Sequence, residues 1–466
     1  MTGPKLTVYL VCRNHRRFVE QAIESVLRQS IDGWELLIID DGSQDGTQEL
    51  VAAYQSDPRI RLFTAGGIGL PAVCNLALKE SRGEYIVRLD GDDYFDENFL
   101  LVLSNHLDRH PDVALVFPDY YLTDEFGNVE LRTWRRRLYQ DDHVLDTPPN
   151  GACTMVRRSV LKKLGGYRED LGAQDGLDLW VKLRQLYRSA NINMPLFYYR
   201  RHSSNLTGNV HRIANARRRI KRDAVEAMPD RPRSITAVIP CRRRYDFVPD
   251  VWAQSVNGTP LLQSALRTCL DCELIDRIVV ACDNQDAADM VNAVNDPRCT
   301  FFLRDPAETL RTHSLVPTIA AILGDDGQKR EGLTVIRYAQ APFVTADTMS
   351  EAISTLLLNE ADCSFGVEEV PGQVYRRTAH SFQAISQPGG IGFDGSVIYR
   401  DAHTVVCLRN RNIALGALLG PRTINFVNTP EESFFIDSPL KLDIAELMAR
   451  KLRQGSLAGT QVPVLP

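Results

Sequence analysis

From the start of the chain, short apolar runs alternate with segments in which apolar residues recur every three or four positions. Leu6–Cys12, Trp34–Ile39, Ile60–Phe63 and Tyr85–Leu89 read as strands, and Phe18–Gln29, Thr47–Tyr54 and Pro71–Lys79 between them read as helices. This alternation predicts βαβ units and a mostly parallel sheet. The pattern begins afresh at Ile235–Ile239 and continues through a helix over Leu261–Cys269, a strand over Ile278–Ala281, a helix over Asp286–Val294 and a strand over Thr300–Leu303. Between the two lies His211–Pro232, where Arg212-Ile-Ala-Asn-Ala-Arg-Arg-Arg-Ile-Lys-Arg runs on to Pro229 and Pro232. It predicts a charged, solvated helix closed by a proline-limited linker. The expectation is two α/β domains, 1–210 and 233–454, joined by a basic helical linker over 211–232 and followed by a loose tail over 455–466.

Composition narrows the class without changing that outline. With 44% apolar, 24% charged and 8% aromatic residues, the 466-residue chain suits a folded enzyme or binding protein and excludes disorder, collagen and coiled coil as its main architecture. The net charge of -5 is spread, with 31 basic and 32 acidic residues up to position 230 and 23 and 27 beyond it, so neither half is a general nucleic-acid binder. The 10 cysteines are scattered, several inside apolar runs, as in a reducing compartment. Cys269 and Cys272 form the only close pair; with no second pair at metal-ligand spacing they read as core-facing thiols and not as a zinc site. The sequence opens Met-Thr-Gly-Pro-Lys with no apolar leader, and it holds no 18-residue apolar run. A cytoplasmic location is expected, with peripheral contact at the inner face of a membrane left open by the basic helix.

Open parallel sheets bind ligands beyond the carboxyl ends of their strands, so polar residues that directly follow apolar runs deserve inspection. One strand runs into Asp40-Asp41-Gly42-Ser43-Gln44-Asp45-Gly46-Thr47, where Ser43 or Asp45 suits a helix cap and Asp41 a ligand contact. Another runs into Asp90-Gly91-Asp92-Asp93, whose crowded carboxylates are relieved most simply by a divalent cation, Mg2+ or Mn2+. A solvated acidic loop is the alternative.

Thr7-Val8-Tyr9-Leu10-Val11-Cys12-Arg13-Asn14, Ala22-Ile23-Glu24-Ser25-Val26-Leu27-Arg28-Gln29-Ser30, the Asp-Asp-Gly-Ser turn, and Arg82-Gly83-Glu84-Tyr85 leading to the acidic turn together resemble family-two inverting glycosyltransferases of the GT-A fold. The resemblance covers residues 6–206 and takes in Gln174-Asp175-Gly176-Leu177-Asp178-Leu179-Trp180 as the family's base motif. It implies that Asn14, Asp41, Asp90 and His202 bind the nucleotide-sugar donor, with Asp41 on the base, that Asp92 and Asp90 hold the metal, and that Asp175 is the general base. His202 has a second reading, a surface histidine after a strand. Asp178, three residues from Asp175, reads as a substitute base or a solvated or capping carboxylate. Gln174 stands where the family has Glu, and Gly69 and Leu70 stand where an arginine often meets phosphate.

Residues 235–450 resemble sugar-acid cytidylyltransferases of the acylneuraminate type, through Ala237-Val238-Ile239-Pro240, Asn257-Gly258-Thr259-Pro260-Leu261-Leu262, Ala341-Pro342-Phe343-Val344-Thr345, Asp394-Gly395-Ser396-Val397-Ile398-Tyr399 and Phe435-Ile436-Asp437. The activation loop departs from the family: Cys241-Arg242-Arg243-Arg244-Tyr245 holds no glycine where a glycine-rich turn cradles triphosphate. Arg242, Arg243 and Asp437 remain as candidate nucleotide and metal contacts. The fold class expected is therefore α/β with two nucleotide-binding Rossmann-like domains. The function expected is metal-dependent sugar transfer from a nucleotide-sugar to a glycan, lipid-linked or protein acceptor, fused to a non-catalytic cytidylyltransferase-like domain that the resemblance implies forms homodimers. Two alternatives stay open, a bifunctional enzyme that also makes a CMP-sugar acid and a non-catalytic sugar-nucleotide-binding scaffold. The acceptor is set by the stretch between Tyr120 and Pro149, where Arg132–Tyr139 reads as a lid or a solvated basic loop.

Overall fold

A computed structural model describes residues 3–133, 152–171, 173–202, 210–232, 234–310, 313–324, 331–370, 374–377, 381–384 and 398–456. Trp134–Tyr139 of the expected lid and Asp394–Ser396 of the second family motif lie outside the described residues. The chain divides into two compact units, Met1–Ile220 with Gln373–Ser396, and Lys221–Gly372 with Val397–Pro466.

The first unit is built on a nine-stranded sheet: β1 (Leu6–Cys12), β2 (Trp34–Asp40), β3 (Ile60–Thr64), β4 (Tyr85–Asp90), β5 (Tyr94–Phe95), β6 (Val113–Thr123), β7 (Val129–Thr133), β8 (Met155–Arg157) and β9 (Arg188–Arg200). Their order is β3-β2-β1-β4-β8-β6-β9-β5, with β7 paired to β6. All seven residues of β1 and of β2 are buried, which is why these runs are apolar throughout instead of alternating. Helices α1 (Val19–Leu27), α2 (Thr47–Ala52), α3 (Leu70–Glu80), α4 (Phe99–Arg109), α5 (Arg158–Lys163) and α6 (Asp175–Leu186) cover the sheet. In α1 the apolar stripe Val19, Ala22, Ile23 and Val26 is buried and packs with Leu36, Phe99 and Phe197 in one core. The chain leaves β1 toward β2 and β3 on one side and returns to place β4 on the other, each pair parallel. The ends of β1 and β4 therefore border a crevice where strand order reverses, a favoured ligand position.

The other half of this sheet is mixed. β8 runs antiparallel to β4 and β6, β5 antiparallel to β9 and β7 antiparallel to β6. Strands of three and two residues such as β8 and β5 are too short to give a periodic signal in the sequence.

Helix α7 (Val210–Glu226) spans the division between the units. The sequence predicts a solvated helix here, and the structure corrects that: Ala214, Ala216, Arg218, Ile220, Lys221 and Val225 are buried. Lys221 Nζ donates to Thr355 Oγ1 at 2.9 Å and lies 3.5 Å from Glu351 Oε1, so a long aliphatic stem is buried while its ammonium finds partners.

The second unit holds β10 (Ile235–Pro240), β11 (Ser255–Val256), β12 (Thr259–Pro260), β13 (Arg277–Cys282), β14 (Cys299–Leu303), β15 (Leu333–Arg337), β16 (Cys363–Val370), β19 (Ile398–Arg409) and β20 (Thr423–Val427), while the hairpin of β17 (Tyr375–Arg377) and β18 (Phe382–Ala384) groups with the first unit. Its main sheet runs β14-β13-β10-β15-β19-β16-β20, parallel from β14 to β15 with β19 antiparallel, and order reverses between β10 and β15. Helices α8 (Leu261–Leu270), α9 (Asp286–Val294), α10 (Val316–Leu323), α11 (Ala346–Leu358), α12 (Asn410–Ala414) and α13 (Pro439–Ser456) complete it. Helix α13 runs two residues into the segment expected to be a tail. Cys269 and Cys272 are buried thiols in the core, and no disulfide forms among the described cysteines. Among the described residues, no helix is long and apolar enough to cross a membrane.

Candidate active site

Strand β4 ends at Asp90, and the chain turns through Gly91, Asp92 and Asp93 into β5. A side chain at Gly91 is sterically excluded, since its Cβ would sit 2.8 Å from His15 Nδ1 and 2.9 Å from Cys12 Cβ. The glycine thus lets the acidic turn lie directly on the end of β1. Each carboxylate is then treated differently. Asp90 is gripped by buried Arg88 of its own strand, with Nε 3.0 Å from Oδ1. Asp92 Oδ2 accepts from His202 Nε2 at 2.9 Å; the two side chains are 13% and 6% exposed, and the His202 ring stacks on Phe18. His202 is therefore no surface histidine. Burial pushes the Asp92 carboxyl up, but the His202 hydrogen bond and nearby His15 outweigh it and hold it below the usual carboxylate value. Asp93 is fully buried, and desolvation with Asp92 and Asp90 beside it pushes its carboxyl well up.

Asp41 has another task. It follows β2, is 4% exposed, and its Oδ1 accepts the N–H groups of Gly67 and Ile68 at 2.9 and 2.7 Å while Oδ2 accepts that of Gly69 at 3.0 Å. Gly67 and Gly69 have φ of +87° and +91°, which is how consecutive amides turn onto one carboxylate. The departures at Gly69 and Leu70 thus belong to a loop folded around Asp41. Asn14 accepts from Gln44 N–H at 2.8 Å and donates its own N–H to Ser43 Oγ at 2.8 Å, pinning the same region. Asp45 accepts the Thr47 N–H and hydroxyl, as a cap does.

Asp175 is the first residue of α6, preceded by Gln174 in the left-handed region at φ 62°; the Asp175 side chain lies outside the described residues. Asp178 is 4% exposed and bridged to Lys182 at 2.7 Å, which corrects the expectation of a solvated or capping carboxylate. Among the described residues, no group of three or more His, Cys, Asp or Glu side chains is arranged to hold a metal ion unaided.

In the second unit the loop after β10 presents Arg242, its guanidinium 4.7 Å over the Tyr245 ring, and exposed Arg243, whose N–H donates to Asp283 Oδ1 at 2.6 Å. Asp437 is exposed and bridged to Lys441 at 2.8 Å, with no bond to either arginine among the described residues. The last residue of β15, Arg337, is fully buried. Its Nη1 donates to Tyr338 O, whereas Nε and Nη2 find no hydrogen-bond partner among the described residues. Burial pushes this guanidinium down to about 10.

The family model for Glycosyl transferase family 2 matches residues 7–165, and that for Cytidylyltransferase matches residues 252–452. EpsE of Bacillus subtilis (strain 168), which bears a glycosyltransferase name, is 32% identical over 209 residues, 43% of this chain and 75% of EpsE. The chain belongs to glycosyl transferase family 2. Chondroitin synthase of Escherichia coli is 24% identical over 191 residues, but these cover only 28% of that protein and 41% of this chain. A solved CMP:2-keto-3-deoxy-manno-octonic acid synthetase complexed with CTP aligns with 47% of this chain and 99% of its own at 14% identity and a TM-score of 0.36.

This family-two glycosyltransferase thus carries a cytidylyltransferase-like second domain, and the two-domain α/β architecture stands as expected. The structure brings together Asp90, Asp92 and His202, sets Asn14 and Asp41 in the neighbouring loops, and leaves Arg242, Arg243 and Asp437 unjoined. Sequence reasoning passed over His15, Arg88 and Arg200. Arg200 directly follows the apolar run Leu196–Tyr199, so the strand-end rule that singles out Asp90 reaches it too.

Proposed function

We propose that the first unit transfers a sugar from a nucleotide-sugar with inversion, assisted by Mg2+ or Mn2+, and that the second unit does not catalyse cytidylyl transfer. The observation that carries the reading is the buried Asp92–His202 pair at the strand-order crevice. One carboxylate oxygen donor and one imidazole fit a divalent ion that takes its other ligands from water and phosphate oxygens, so Asp92 and His202 would hold it and Asp90, bound by Arg88, would supply charge nearby. Such an ion neutralises charge on a departing diphosphate. Asp41 Oδ2, with one amide bonded, keeps capacity to accept from a donor's base. Asp175, opening α6, takes the proton of the acceptor hydroxyl as its oxygen bonds to the anomeric carbon and the bond to the nucleoside diphosphate breaks. A single displacement of this kind inverts the anomeric centre.

For the second unit, support comes from a glycine-free loop after β10 and from Asp437, exposed and committed to Lys441. In-line attack on a triphosphate needs it held by preorganised donors. The test is nucleotide release by the purified chain across UDP-, GDP-, dTDP- and CMP-sugars with Mn2+, and pyrophosphate release from CTP with sugar acids. Release in the first assay alone is expected. Silence in the first overturns the transferase reading, and pyrophosphate release abolished by Asp437→Ala makes the protein bifunctional.

A further inference from the structure

We propose that Arg200 is a positioning residue of the donor site, the group that locks the acidic turn, helix α1 and the turn Asp124–Asn128 into one arrangement. The inference rests on reading the first unit as a nucleotide-sugar site. Arg200 closes β9 and is 2% exposed. Its backbone N–H donates to Asp93 Oδ1 at 2.9 Å, its Nε to Asp92 O at 2.8 Å, its Nη1 to Glu125 O at 2.8 Å and its Nη2 to Gln21 Oε1 at 2.6 Å. The guanidinium also lies 4.9 Å from the Phe18 ring centre and 5.4 Å from that of Tyr94. Phe18 is the ring on which His202 stacks, so one aromatic side chain touches both Arg200 and the histidine that bonds Asp92.

The spread of acceptors argues for positioning. Three side-chain donors reach two backbone carbonyls and one amide oxygen, each in a different segment, which uses the fixed directions of a guanidinium fork. Lysine keeps the charge and loses those directions. The turn Asp124–Asn128 is the whole β6–β7 connection, and it is tied to Tyr94 by a hydroxyl donated to Gly127 O at 3.2 Å. Arg200 thus fixes the donor end of the crevice against the hairpin beside it.

The test is calorimetric binding of UDP and of GDP in the presence of Mn2+ to the full chain, with Arg200→Lys and Gln21→Leu. Arg200→Lys is expected to weaken the nucleotide that binds by about tenfold at a stoichiometry near one, the scale seen when a partner that orients a ligating group is lost. Gln21→Leu, which removes one acceptor, is expected to weaken it about threefold. A purely structural role would lower the stoichiometry and the melting temperature and leave the affinity of the folded fraction intact, and that result overturns the proposal. If Arg200→Lys does not fold, unchanged affinity in Gln21→Leu overturns it. Absence of binding to wild type overturns the donor-site reading itself, whereas equal affinity in wild type and a folded Arg200→Lys overturns only the role of Arg200.

Discussion

The last residues of β4 and β9 in the first unit, and of β15 in the second, all stand beside crevices where strand order reverses, and all bring charge there. In the first unit Arg88 meets Asp90, Asp92 meets His202, and Arg200 meets two carbonyls and an amide oxygen. In the second, Arg337 is more deeply buried than any of these and has, among the described residues, one carbonyl for its guanidinium. A charge in low dielectric is tolerable when its hydrogen bonds are made and costly when they are not. The matched crevice has the organisation that chemistry demands. The unmatched one buries a strand-end guanidinium that has one hydrogen-bond acceptor among the described residues.

The sharpest way to break this contrast is to remove one acid from each unit. Asp92→Asn is expected to cut sugar transfer at least a hundredfold, the scale of losing one charge-stabilising group in an active site, whereas Asp437→Ala leaves it within about twofold. Initial rates of nucleotide release measure both, and similar losses would erase the distinction between the units. The arginines give the next effect. Arg88→Met takes a buried cationic partner from Asp90 and is expected to cost about 2 kcal/mol, whereas Arg337→Met removes a buried cation with one acceptor among the described residues and is expected to add about 2 kcal/mol, read as opposite shifts in urea midpoint. Destabilisation by Arg337→Met would mean that the second crevice is better satisfied than its contacts indicate. The smallest effect belongs to Asp93. Its carboxyl is pushed up on folding, so the folded state holds a proton more tightly and wild-type stability declines as pH rises toward the folded value. Asp93→Asn, which keeps an acceptor for Arg200, is expected to gain up to about 1 kcal/mol at neutral pH, with the advantage growing as pH rises above the ordinary carboxylate range in melts of both proteins.

The elements that sequence made legible are those with a strong period or unbroken burial. β1, β2, β4 and α1 fall within a residue or two of expectation because buried parallel strands are apolar throughout and α1 carries one clean stripe. β5 and β8 escape, being too short for any pattern, although β5 is what brings Arg200 to the acidic turn. In the site, carboxylates at strand ends were visible as residues, but not their division of labour. Asp90 and Asp92 differ through Arg88 and His202, one two residues away and the other 110 residues from Asp92 along the chain. Charge composition misled at α7, where Lys221 reads as solvated and is instead buried against Thr355 and Glu351.

The amide cradle at Gly67–Gly69 is filled from within the chain. Because Asp41 is joined to this cradle by the chain itself, it acts as a built-in competitor for any anion, present at the high local concentration that covalent connection confers. A phosphate entering there would have to evict a buried carboxylate from three hydrogen bonds and then share the space with it. The loop is therefore self-inhibited as an anion receptor.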